Sequence, residues 1–240
     1  IKQEYIRMAV ATKKPGKILY AGIGSNCLQE SIDLATYCFD AGVDVVVATL
    51  PSYYMLNGEQ IKSYFLQLAD NAGGPLIIYN IPATTHHSIP LEIIDELSHH
   101  KNIVGVKDSE RSEERMHASI KLWAARKDFS YFLGWAAKAV QAILAGADGI
   151  VPSSANLYDH VYWNMWAWGK AGKDINDTQA MSDKIGELYQ GKRSLGDSLA
   201  ALKMLMHHRG LCQPWMMPPL QRLSPEEEKA LIKDFEEHLV

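Results

Sequence analysis

No apolar run in the 240-residue chain approaches the roughly 20 consecutive residues that a membrane-spanning helix needs. Cysteine is scarce. Cys27, Cys38 and Cys212 are odd in number and widely spaced, which speaks against a disulfide framework or a zinc site and for a reducing, cytoplasmic setting. Net charge is −4 and no Lys/Arg cluster carries interleaved aromatics, so no nucleic-acid surface is expected. The first apolar run ends in Gly22-Ile23-Gly24, without the third glycine and later acidic residue of a dinucleotide site. Histidines pair at 86/87, 99/100 and 207/208, but adjacent side chains point apart and no carboxylate stands at a useful spacing. No metal site is expected. Low-complexity stretches and interdomain linkers are also missing, and Ile1 opens no signal peptide. The first residues read as a helix already under way, so a longer protein with an upstream part is expected.

What is present centres on residues 75–109. The stretch begins Pro75-Leu76-Ile77-Ile78-Tyr79-Asn80-Ile81-Pro82 and ends Asn102-Ile103-Val104-Gly105-Val106-Lys107-Asp108-Ser109. Each end is a short apolar, mostly β-branched run, the pattern of a buried strand. A helical segment, Pro90 to His100, lies between them. One strand stops at a phenol, Tyr79, and the next at an amine, Lys107.

The rest of the chain repeats this unit. Strands are expected at 17–24, 43–50, 75–79, 102–107, 129–133 and 148–151, and helices at 28–41, 58–72, 90–100, 112–126, 136–144 and 157–171. Ser25 or Asn26 is positioned to cap the helix at 28. Beyond Ile175 only helices are expected, at 176–190, 195–208 and 225–239. Regular strand–helix alternation with short loops argues for a parallel sheet with helices outside. Near-equal unit lengths favour a (β/α)8 TIM barrel over an open sheet. The expected organisation is therefore six βα units of a barrel over residues 1–172, with a helical extension over 173–240 and the first two strands upstream of Ile1.

In such a barrel the carboxyl ends of the strands line one mouth. Here that rim holds Gly24-Ser25-Asn26, Pro51-Ser52-Tyr53-Tyr54, Tyr79-Asn80, Lys107-Asp108-Ser109, Gly134-Trp135 and Pro152-Ser153-Ser154. Lys107 is the one plausible covalent nucleophile on it. A lysine attacks a carbonyl as the free amine, a form that burial favours. The iminium it makes with a keto acid is an electron sink for the adjacent C–C bond, and this chemistry needs a nearby proton shuttle. Tyr79 is placed for that role and Tyr53 for passing protons onward. Gly134 and Ser153 are rim residues within reach of a bound substrate. No cofactor is needed beyond the Schiff base itself.

These residues resemble the dihydrodipicolinate synthase/N-acetylneuraminate lyase family of class I pyruvate-dependent aldolases. The likeness rests on Tyr79-Asn80-Ile81-Pro82 and Gly105-Val106-Lys107-Asp108-Ser109. It is extended by Gly22-Ile23-Gly24-Ser25-Asn26, Pro51-Ser52-Tyr53-Tyr54, Gly146-Ala147-Asp148-Gly149-Ile150, Ser153-Ser154-Ala155-Asn156 and the tail from Pro219 to Glu227. The resemblance implies Lys107 as the Schiff-base lysine, Tyr79 as the proton shuttle and Tyr53 as a relay reaching into a neighbouring subunit's site. It also implies that the Val151 carbonyl lies beside the keto acid, and that the protein is a homotetramer built as a dimer of dimers. The family's Gly-Thr-Thr-Gly-Glu carboxylate cradle is not in the chain and is expected upstream. Thr84 stands where dihydrodipicolinate synthases carry an arginine for the second substrate. Ala136 and Ala137 replace the Asp-Glu pair of sialic acid lyases, and His86 replaces the family's usual glycine. The expected activity is cleavage of a 2-keto-3-deoxy sugar acid, or a similar 4-hydroxy-2-keto acid, to pyruvate and an aldehyde. The alternatives are dihydrodipicolinate synthase itself and a truncated, non-catalytic homologue.

Overall fold

The computed structural model describes residues 1–239. Its elements are α1 (Lys2–Thr12), β1 (Tyr20–Gly22), α2 (Leu28–Ala41), β2 (Val45–Thr49), α3 (Gly58–Asn71), β3 (Leu76–Asn80), α4 (Pro82–Thr85), α5 (Leu91–Leu97), β4 (Ile103–Asp108), α6 (Glu113–Trp123), β5 (Ser130–Leu133), α7 (Ala139–Ala145), β6 (Gly149–Ile150), α8 (Asp159–Lys170), α9 (Asn176–Tyr189), α10 (Leu195–His208) and α11 (Pro225–Leu239). Short 3-10 turns cover Ala136–Lys138 and Ser153–Asn156. The strands form one sheet in sequence order, β1 to β6, and the pairs from β1 to β5 are parallel. Among the described residues no helix is long and apolar enough to cross a membrane.

Local chemistry sets several boundaries. α2 ends at Gly42, whose φ of 101° lies in the left-handed region that costs a side-chain-bearing residue energy. Asn57 and Gln60 close a capping box at the start of α3, each side chain accepting from the other's backbone N–H at 3.0 and 2.9 Å. The capping residue of α2 is Cys27, not Ser25 or Asn26, and its side chain makes no cap. Ser25 Oγ accepts from the Cys27 N–H, and Asn26 Oδ1 is taken by the Ser52 N–H at 2.8 Å. β1 is shorter than its apolar run, because it sits at the end of the strand order and hydrogen bonds to β2 alone. α4, absent from the sequence expectation, is a single turn started by Pro82.

The chain divides into two compact units: Ile1–Trp135 with Ala145–Gly149, and Ala136–Leu144 with Ile150–Val240. In the first, the outer face of the sheet is sealed by helices. Val46, Ala48, Ile78 and Val106 on the strands are fully buried, as are Phe65 and Leu68 of α3, Ile94 of α5 and Trp123 of α6. The other face is concave. The rings of Tyr20 on β1 and Phe132 on β5 meet edge to face with centroids 6.2 Å apart. Four strand spacings of about 4.8 Å would hold those strands roughly 19 Å apart in a flat sheet. The parallel strands are therefore curled into a half-barrel, whose inner face is lined by the residues that alternate with the sealed ones.

The second unit has a helical core. Val140 and Ile143 of α7 and Val161 and Met165 of α8 are buried with Ile185, Leu205 and Phe235 of the following helices. This packing division is not the boundary at 172/173 expected from the sequence.

Candidate active site

β3 and β4 run parallel with Tyr79 opposite Lys107 and Asn80 opposite Asp108. Register partners in a sheet project to the same face, and successive residues alternate. Thr49, Tyr79, Lys107 and Phe132 consequently form one row across four strands on the concave face, near the strands' carboxyl ends. Both Tyr79 and Lys107 are half-buried. The Lys107 Nζ lies over the Tyr79 ring, 4.1 Å from its centroid. An amine and a phenol are brought together, as the two interrupted apolar runs lead one to expect.

Ser109, one residue past β4, donates its hydroxyl to the Tyr79 hydroxyl at 3.4 Å, and its N–H to the Asn80 carbonyl at 2.9 Å. Gly134, one residue past β5, hydrogen bonds through its N–H to the Asp108 carbonyl at 2.7 Å. A Cβ at position 134 would overlap Ser109 Oγ and lie 3.2 Å from that carbonyl. Gly134 is therefore needed for close packing at the rim, a reason that its place in the sequence does not disclose.

Behind the row, on the face that the helices seal, lies a buried polar cluster. Asp108 is 2% exposed and its carboxylate accepts from Asn80 Nδ2 at 2.9 Å, from the Glu110 N–H at 2.9 Å and from Arg115 Nε at 2.6 Å. Arg115 also donates Nη2 to the Ile89 carbonyl at 2.8 Å, and Asn80 Oδ1 accepts from the Ile89 N–H at 3.0 Å. Glu110 Oε2 accepts from Ser88 Oγ at 2.6 Å and Asn80 Nδ2 at 3.1 Å. Tyr131 of β5 lies beyond this cluster. Burial, with the Asp108 carboxylate adding to it, pushes the Tyr131 phenol far above its ordinary value and keeps it neutral. In the sequence Asn80 and Asp108 stand out only as strand ends. The available signal is their position: each follows a concave-face residue, so alternation puts a polar side chain where a sealed core residue belongs.

The other expected site residues lie in different settings. Thr84 is exposed on α4 with its hydroxyl donated to the Ile81 carbonyl at 3.3 Å. His86, which ends that turn, has φ 60°, the conformation in which glycine is at ease. Tyr53 is 76% exposed on the β2–α3 loop, its ring edge-to-face with Tyr54. That loop is tied down through the Tyr54 carbonyl, which accepts from His87 Nε2 at 3.0 Å. Val151 and Ser153 belong to the second unit. Val151 is exposed after β6, and the Ser153 and Tyr189 hydroxyls are hydrogen bonded at 2.8 Å.

A curled parallel sheet sealed by helices, with chemically distinct side chains gathered at its strand ends, defines an α/β protein. The sequence profile of the dihydrodipicolinate synthetase family matches residues 2–238, and the chain belongs to that family. A DapA-like lyase of Pyrococcus abyssi, itself uncharacterized, is 29% identical over 200 residues, covering 82% of this chain and 67% of the relative. The dihydrodipicolinate synthase of Bacteroides thetaiotaomicron superposes with a TM-score of 0.91 at 22% identity, covering 98% of this chain and 80% of that one. A prophage protein of the same family from E. coli K12, solved in complex with pyruvate, superposes with a TM-score of 0.88 at 22% identity over the same shares of the two chains. At these identities the structural likeness concerns the fold.

Proposed function

We propose that the protein is a class I aldolase-type lyase that binds pyruvate-derived keto acids as a Schiff base on Lys107. The observation that carries this reading is the amine–phenol pair. Lys107 and Tyr79 are held side by side by strand register, with Nζ 4.1 Å from the ring centroid, on the concave face of a family fold. In the reaction, the Lys107 amine adds to the C2 carbonyl of a 4-hydroxy-2-keto acid and water leaves, giving the iminium. Tyr79 takes the proton of the C4 hydroxyl while its own phenolic proton passes onward along the relay, as the C3–C4 bond breaks and that bond's electrons pass to the iminium. The aldehyde departs. The resulting enamine is protonated at C3 and hydrolysed, releasing pyruvate and restoring the amine.

The substrate class is a 2-keto-3-deoxy sugar acid or a similar 4-hydroxy-2-keto acid. Thr84 offers a hydroxyl and no cation at the place where dihydrodipicolinate synthases are expected to hold a second carboxylate, which weighs against that alternative. Val151 enters this reading through the family resemblance alone, and Ser153 through its place on the expected rim. The six strands are read as part of an eight-stranded barrel, a reading supported by the TM-score of 0.91 to a chain of which 80% is covered. Tyr53, outward on its loop with Tyr54 and Met55, is read as the proton relay offered to a neighbouring subunit in a tetramer. No cofactor enters the reaction.

Incubation of the chain with pyruvate and borohydride, followed by mass measurement, tests the proposal. One reduced pyruvate per chain is expected, lost in Lys107→Ala. No adduct in the wild-type chain would leave the non-catalytic homologue as the surviving reading. Release of pyruvate from a panel of 2-keto-3-deoxy sugar acids, against condensation of pyruvate with aspartate semialdehyde, separates the two catalytic readings.

A further inference from the structure

We propose that Asn80, Asp108 and Arg115 are positioning residues that set the geometry between the Lys107 amine and the Tyr79 phenol. This rests on the Schiff-base reading of the same site. Asn80 and Asp108 are the residues immediately after Tyr79 and Lys107, and they are register partners of each other. By strand alternation they point to the sealed face while the reacting pair points to the concave one. A single hydrogen bond, Asn80 Nδ2 to Asp108 Oδ1 at 2.9 Å, ties the two strand ends together directly behind the pair.

That tie is locked from two further segments. Arg115, from the first turn of α6, places Nε on the Asp108 carboxylate at 2.6 Å and Nη2 on the Ile89 carbonyl at 2.8 Å. The Ile89 N–H returns to Asn80 Oδ1 at 3.0 Å, which closes a ring of strand, strand, helix and loop. The arginine and aspartate side chains are 11% and 2% exposed, so the ion pair is largely dry and its geometry is unforgiving. A lysine at 115 could not make both contacts, because only the guanidinium fork has two donors fixed in one plane. An apolar pair would seal the sheet equally well. The buried charges specify direction as well as burial: they fix the twist of the last residues of β3 and β4 relative to each other, and with it where Nζ sits against the phenol. A misplacement of about 1 Å between reacting groups costs on the order of 10²-fold in rate.

The test is single-turnover trapping of pyruvate by the full chain, with rate measured against pyruvate concentration and labelling followed to completion. Arg115→Met, Arg115→Lys and Asp108→Asn are compared with Arg126→Met. The control removes a guanidinium that instead holds Asp128 and the Ser98 carbonyl. The maximal trapping rate is expected to fall about 10- to 100-fold in the three network variants. The pyruvate concentration at half-rate should stay within about twofold and labelling should still reach one per chain, since folded protein with a misaligned pair reacts slowly but fully. Arg126→Met should lower stability without changing the rate. Asp108→Asn, nearly isosteric, is the variant read if the arginine variants do not fold. Network variants that trap at the wild-type rate per labelled site would overturn the positioning role while leaving the Schiff base intact. A wild-type chain that traps no pyruvate would overturn both.

Discussion

The ends of β3 and β4 and the loop after β2 both carry tyrosines that the sequence marks for one site, yet they are held in opposite ways. Tyr79 is fixed by strand register on both sides, by the Ser109 hydroxyl and by a buried ionic ring behind it. Tyr53 stands 76% exposed, against Tyr54, on a loop anchored through a backbone carbonyl. The first region is built by the chain for itself. The second presents aromatic surface outward. A group that shuttles protons beside a covalent intermediate needs the first kind of support, because its hydroxyl must be held within a fraction of an ångström. A group offered to a neighbour tolerates the second.

The contrast can be broken or sharpened by substitution. Tyr79→Phe removes the hydroxyl proposed as the acid/base group while keeping the ring over Lys107, and should slow pyruvate release about 10²- to 10⁴-fold, measured in a steady-state cleavage assay. Arg115→Ala leaves the buried Asp108 carboxylate without its cation. It should destabilise the fold by about 3–5 kcal/mol, read from urea unfolding. His86→Gly relieves the left-handed backbone at the end of α4 and should stabilise by about 0.5–1 kcal/mol, seen as a higher Tm. Tyr53→Ala should change unfolding free energy by less than about 0.5 kcal/mol, since the side chain is exposed. A large loss of stability in Tyr53→Ala, or none in Arg115→Ala, would reverse the distinction between the two regions.

Much of the fold is legible in the order of residues alone. Helices α2, α10 and α11 run between the residues expected of them, because apolar spacing and the residues that start and stop a helix are local properties. The alternation of strands and helices in the first unit is equally local. The strand ends carrying Tyr79 and Lys107 are legible because a phenol and an amine interrupt two apolar runs. The capping of α2 is not, because Asn26, a good capping residue, is drawn instead to the Ser52 backbone 26 residues away. Arg115 escapes sequence reading for a similar reason: on α6 it looks like an ordinary solvated helix residue, and only the folded chain brings it to Asp108.

By itself, then, the sequence determined the order and kind of the elements other than α4, and the chemical identity of the groups at the strand ends, since both follow from neighbours along the chain. Tertiary structure alone decided that Tyr79 and Lys107 share a register row, that Gly134 must yield room to Ser109, and that the buried Asp108 carboxylate meets the Arg115 guanidinium. Those outcomes depend on contacts between residues far apart in sequence, where packing and desolvation, and not local propensity, set the energy.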